Sequence, residues 1–95
     1  MPVGVELLFS NATLDQYDQM LAKLGMQPGG EGPPGLLFHW VGMTDEGMRA
    51  VDVWETKEQF DRYAQETMGP AAAETGIVDL PIVSFYEVHS YLSAR

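Results

Sequence analysis

Twice in this chain a threonine stands three residues ahead of a glutamine at the head of an apolar stripe: Thr13-Leu14-Asp15-Gln16 and Thr56-Lys57-Glu58-Gln59. That pattern is a capping box. The threonine hydroxyl accepts from a first-turn N–H, and the glutamine reaches back to the cap. Behind the first box, Leu14, Tyr17, Leu21 and Leu24 follow at spacings of three and four with Met20 beside them, and Gly25 is the expected stop. Behind the second come Phe60, Tyr63, Ala64, Thr67 and Met68. Met68-Gly69-Pro70 is expected to break that helix, with Ala71 to Gly76 as one more helical turn.

The two helix starts divide what remains into strands. Val3, Val5, Leu7 and Phe9 alternate against Gly4, Glu6 and Ser10, with Leu8 the one apolar residue on the second face. Leu36 to Val41 and Gly47 to Glu55 read as a hairpin about Thr44-Asp45-Glu46, and Pro81 to His89 as a last strand before a tail at Ser90 to Arg95. Gln27 to Pro34, rich in glycine and proline, excludes both helix and central strand and serves as a connector or a pocket lid. The order strand, helix, strand, strand, helix, strand is the split βαβ arrangement. It implies an α+β, ferredoxin-like βαββαβ fold with a four-stranded antiparallel sheet and both helices on one face.

The other sheet face has nothing from its own chain to cover it, yet it too carries large apolar residues. Residues 1–95 suffice for a single domain, and a domain of this size buries only about 60–65% of its unfolded surface. With no cysteine, neither disulfides nor a thiolate metal site can staple it. Self-association into a homodimer is the expected source of further burial.

Fourteen acidic against five basic side chains give a formal net charge of −9. Such a surface repels phosphate backbones and anionic membranes, so neither nucleic acid nor a membrane is an expected partner. No apolar run approaches the roughly 20 residues of a bilayer span. The start, Met1-Pro2-Val3-Gly4-Val5-Glu6, shows no basic segment followed by an apolar one, and the cytoplasm is the expected location.

If the hairpin turn centres between Asp45 and Glu46, His39 faces Asp52, Leu37 faces Trp54 and Val41 faces Ala50, all on one side of the sheet. Phe38, Trp40, Val51 and Val53 then form an apolar opposite side. A slip of one residue abolishes the His39–Asp52 pairing. His39 is the best acid–base candidate, since an imidazole titrates near neutrality, and Asp52 would orient it. His39 and Asp52 are therefore the candidate catalytic residues, unless they merely satisfy each other within the sheet. His89 falls at the end of the last strand, in solvent. Tyr17, Trp54 and Tyr63 are the candidate substrate-binding residues. With Trp40, Phe38 and Phe60 they could line an aromatic pocket or simply form core. No ligand spacing for a metal exists, and no nucleotide-binding glycine pattern or nucleophile motif is present, so no metal and no cofactor are expected.

Leu37-Phe38-His39-Trp40 and Asp52-Val53-Trp54-Glu55-Thr56-Lys57-Glu58-Gln59-Phe60 carry a resemblance over nearly the whole chain. The layout resembles the dimeric α/β-barrel superfamily, which includes antibiotic-biosynthesis monooxygenase-like domains and small polyketide cyclases. The second run is similar to the signature found where the third strand feeds the second helix. The resemblance implies two sheets packed face to face across a dimer, with a pocket between each sheet and its helices. It departs from the cyclases, whose histidines flank a proline after the second helix, because Met68-Gly69-Pro70-Ala71-Ala72-Ala73 holds no titratable side chain. It departs from haem-degrading relatives too, since neither helix holds an axial histidine.

Two functions follow as expectations. The first is a cofactor-independent enzyme acting on an aromatic or polyketide-like small molecule, of monooxygenase, cyclase or dehydratase type. His39 is its base, Asp52 the orienter, and Tyr17, Trp54 and Tyr63 the pocket walls. The other is a non-catalytic dimeric module that binds a hydrophobic small molecule or serves a structural role.

Overall fold

The structure, a computed structural model, describes residues 2–92. Four strands and three helical segments follow in the order β1 (Val3–Phe9), α1 (Leu14–Lys23), β2 (Leu36–Thr44), β3 (Gly47–Trp54), α2 (Lys57–Tyr63), α3 (Gly69–Glu74) and β4 (Ile82–Glu87). The sheet is antiparallel throughout in the order β2-β3-β1-β4, the ferredoxin-like arrangement expected from the sequence. Of the expected tail, residues 93–95 lie outside the described part of the chain.

Both helices begin where the caps demand. Thr13 accepts from the Gln16 backbone N–H at 3.1 Å, and the Gln16 side chain accepts from the Thr13 N–H at 3.0 Å. At the second box only half the pattern forms. Thr56 accepts from the Gln59 N–H at 3.2 Å, but the Gln59 carbonyl turns to the Thr56 hydroxyl at 3.1 Å. The Gln59 side chain lies so close to Gly35 that a Cβ there would sit 2.7 Å from it, and this packing draws it away from the cap's backbone.

The second helix does not break at Gly69-Pro70. Residues Ala64–Met68 form a π-turn between α2 and α3, and the Gly69 N–H bonds the Ala64 carbonyl five residues back. A proline ring inside a regular α-helix collides with the carbonyl four residues earlier. One widened turn removes that collision, so the helical path continues through Pro70. Gly69 is required there, because a Cβ would stand 2.9 Å from the Ala64 carbonyl oxygen.

The hairpin register is the expected one where it bears on the site: His39 opposes Asp52 and Val41 opposes Ala50. The turn is held by Thr44, whose hydroxyl donates to the Gly47 carbonyl at 2.8 Å and accepts from the Glu46 N–H at 3.1 Å. The expected Leu37–Trp54 pairing is replaced by Leu36–Trp54, with Leu37 set out of the ladder between Leu36 and Phe38. The cause is the turn that leads into β2. The Leu36 N–H bonds Pro33 and the Glu55 N–H bonds the Gly35 carbonyl, which anchors Leu36 beside the end of β3. A bulge absorbs the extra residue.

Alternation then sorts the sheet. Val5, Leu7, Phe9, Met48, Ala50 and Trp54 point under the helices, where Phe60 and Ile77 complete the core. Trp54 is 1% exposed and meets Phe60 edge-on, and Phe60 meets Phe85 the same way. On the opposite face Phe38 and Trp40 are 46% and 45% exposed. At its centre Glu6 accepts from Arg49 at 2.6 Å and from the Tyr86 hydroxyl at 2.9 Å. Among the described residues no helix is long and apolar enough to cross a membrane.

Candidate active site

Asp52 is the one charged residue in the buried layer of the sheet, 7% exposed beneath the helices. A carboxylate there is tolerated only if its oxygens find donors. Both do. Oδ1 lies 2.5 Å from His39 Nδ1 on the neighbouring strand, and Oδ2 accepts from the Trp54 indole N–H at 3.0 Å. Trp54 supplies that bond because, two residues along β3, it stands on the same face.

The far side of the imidazole is occupied as well. Tyr17, one turn into α1, places its hydroxyl 2.6 Å from His39 Nε2, with the two rings stacked at 6.0 Å. Beside the Asp52 carboxylate a neutral imidazole carries its proton on Nδ1, which leaves Nε2 as an acceptor for the Tyr17 O–H. Tyr17 holds that proton firmly. Burial, with the negative charge of Asp52 next in weight, pushes its pKa up to about 12. Tyr63 is raised for the same two reasons, and its ring lies 5.4 Å from that of Trp54. The result is an unbroken chain of hydrogen bonds, Trp54 to Asp52 to His39 to Tyr17. It runs from the core to the wall of a cavity.

That cavity has a volume of about 970 Å³ and lies between the sheet and the helices. Leu7, Phe9, Met20, Met48, Ala72 and Ile77 are among its apolar lining, and Gln27 to Pro33 and Val78 to Pro81 border it too. The glycine- and proline-rich connector thus borders the pocket. α1 is fastened over it by a bond from the Gln16 side chain to the Gly76 carbonyl at 3.3 Å and a 3.4 Å ion pair between Lys23 and Glu74.

All five residues singled out in the sequence, His39, Asp52, Tyr17, Trp54 and Tyr63, border this one cavity. Phe60 instead belongs to the core cluster. Phe38 and Trp40 pair with Val53 and Val51 on the opposite face and meet the cavity along the open edge of β2. His89 is exposed beyond β4. Two contacts were not read from the sequence: Tyr17 on His39 Nε2, and the Trp54 indole on Asp52. The second had a signal, since residues two apart on a strand share a face. The first had none, because helical spacing does not say which strand a helix crosses. Among the described residues no three His, Asp or Glu side chains gather closely enough to hold a metal ion.

No family model matches the sequence, and no curated protein matches it either. Solved structures do. A protein of Chloroflexus aurantiacus, provisionally assigned as an antibiotic biosynthesis monooxygenase, superposes with a TM-score of 0.66 at 19% identity over 98% of both chains. SnoaB, a cofactor-independent oxygenase of Streptomyces nogalater, gives 0.59 at 16% identity over 98% of this chain and 97% of its own. A dimeric ferredoxin-like protein of unknown function from Jannaschia sp. gives 0.59 at 18% over 92% and 98%. Identities this low speak for the fold and not for the reaction. The chain has the ferredoxin-like α+β fold seen in antibiotic biosynthesis monooxygenase-type proteins.

Proposed function

We propose that the protein is a cofactor-independent enzyme, a homodimer in the cytoplasm, that removes a proton from an aromatic or polyketide-like small molecule. The carrying observation is the hydrogen-bonded chain that ends at a roomy, largely apolar cavity. A substrate proton within reach of Tyr17 passes to its oxygen as the Tyr17 proton moves to His39 Nε2. The substrate C–H or O–H bond and the original Tyr17 O–H bond break, a new Tyr17 O–H bond and an Nε2–H bond form, and the substrate keeps the electron pair. The imidazolium so produced rests against the Asp52 carboxylate, which is held in place by Trp54. The resulting enolate or phenolate is the common starting point for cyclisation, for dehydration and for attack on molecular oxygen. SnoaB, with the same fold, is an oxygenase that needs no cofactor, which favours the last outcome.

Dimerisation rests on the exposed apolar sheet face and on the dimeric state of the Jannaschia protein. A second reading is favoured by one feature: the Trp54 indole, both Asp52 oxygens, both His39 nitrogens and the Tyr17 hydroxyl are all already paired with one another, as in a satisfied structural network. The protein is then a binding module. Hydrogen–deuterium exchange at the acidic CH2 of anthrone, followed by NMR in D2O, separates the two. The enzyme reading requires exchange faster than buffer alone and slowed in His39→Ala, and the relay through Tyr17 requires it slowed in Tyr17→Phe as well. Binding without accelerated exchange leaves the module.

A further inference from the structure

Of the residues that border the cavity, four are acidic (Asp18, Glu31, Asp52 and Asp79), and none is lysine or arginine. The described basic side chains are all engaged or placed elsewhere. Lys23 pairs with Glu74, Arg49 with Glu6 and Glu46 on the opposite sheet face, and Lys57 with Asp61, while Arg62 is exposed on α2. Most donors deep in the cavity are spent as well, the Tyr63 O–H excepted. His39 Nδ1–H and the Trp54 indole N–H go to Asp52, and the Tyr17 O–H goes to His39. A carboxylate that entered would lose its hydration and meet the buried Asp52 charge, with three more carboxylates bordering the cavity and few free donors to bond it.

Building on the aromatic-substrate reading above, we propose that this site takes uncharged hydroxy- or keto-aromatic ligands and rejects aromatic carboxylates. A neutral hydroxyl can donate to the oxygen of Tyr17 or Tyr63 without bringing a charge with it. A polyketide-like precursor that carries a carboxyl group must then lose or mask it before it reaches this protein. The preceding step is thus a decarboxylation or an esterification.

The test is calorimetric titration of the whole protein with 2-naphthol, methyl 2-naphthoate and 2-naphthoate at neutral pH. The ester and the acid differ in little but charge. The ester should bind about tenfold or more tighter than the acid, a difference of roughly 1.4 kcal/mol. Raising ionic strength from about 0.02 M to about 0.5 M should narrow the gap, because screening shortens the reach of the rim charges. The double variant Asp18→Asn/Glu31→Gln, at two exposed positions, should raise the acid's affinity more than the ester's. Equal or tighter binding of the acid overturns the charge selectivity and leaves the aromatic-substrate reading standing. Failure of all three ligands to bind overturns both.

Discussion

Asp52→Asn changes one atom and asks for a reversal of the whole hydrogen-bonded chain. The amide has the carboxylate's shape, so no cavity opens, but only one of its two groups can accept. Two donors compete for it. The Trp54 indole N–H belongs to a side chain 1% exposed, and leaving it unpaired costs about 1–3 kcal/mol. His39, whose side chain is 30% exposed, can answer by moving its proton. The amide oxygen therefore stays on Trp54, its NH2 group faces His39 Nδ1, and the imidazole shifts to the Nε2–H tautomer. Nε2 then points a proton at Tyr17 instead of accepting one. Stability should fall by about 1–2 kcal/mol, the difference between a charge-assisted and a neutral pair. That is a melting shift of roughly 4–15 °C in a domain of this size. Proton abstraction should fall about 10³- to 10⁴-fold, as when a triad aspartate is replaced by the amide. Long-range ¹H–¹⁵N spectra of the imidazole report which nitrogen is protonated. If Asp52→Asn keeps the Nδ1–H tautomer, or exchanges anthrone protons within about tenfold of the parent, Asp52 does not orient His39. Asp52→Ala should cost about 2–5 kcal/mol, since it strands both donors.

Thr13→Ala and Thr56→Ala should each lower stability by about 1 kcal/mol in thermal melts, as each leaves a first-turn N–H without its acceptor. Gly47→Ala should cost about 2 kcal/mol or more, because φ is +136° and a Cβ would stand 2.4 Å from the Phe9 carbonyl oxygen; an unchanged melt would contradict the hairpin geometry. Tyr17 binds its proton more tightly folded than unfolded, so the stability this group contributes is fully present below pH 10 and is lost as pH rises toward about 12. After screening at a half-exposed ring that loss is on the order of 1 kcal/mol, and Tyr17→Phe should show a correspondingly shallower alkaline decline. Light scattering at micromolar concentration should give twice the 10.5 kDa chain mass, and Trp40→Lys on the exposed sheet face should give the monomer; a monomeric parent protein would remove the dimer.

Much of the fold was legible because several local signals agree. The caps at Thr13 and Thr56 specify where helices start, and the alternation at Val3–Phe9 specifies a half-buried strand, so each boundary constrains the next. The misread places are those where a local rule meets a constraint from elsewhere in the chain. Pro70 ends an isolated helix, but a single π-turn lets a packed one continue. Leu37 falls out of register because the loop through Pro33 and Gly35 is anchored to the end of β3, a link 20 residues away in sequence between Gly35 and Glu55. Neither effect can be read from a window of neighbouring residues.

The candidate site divides along the same line. The juxtaposition of His39 and Asp52 was legible because it depends only on where a short hairpin turns, and Thr44 holds that turn through its own hydroxyl. The contact of Tyr17 with His39 depends on how α1 lies across an edge strand, and that is decided by distant partners such as Gly76 and Glu74. The sequence had suggested a base held by a carboxylate with Tyr17 as a wall. The structure puts Tyr17 on His39 Nε2, so a proton taken by that nitrogen either travels through the phenol or waits for it to swing aside. Which of these occurs decides the phenotype of Tyr17→Phe. A relay loses its exchange activity along with the hydroxyl. A swinging gate gains activity, because the phenylalanine frees Nε2 and leaves the Asp52 contact as it was.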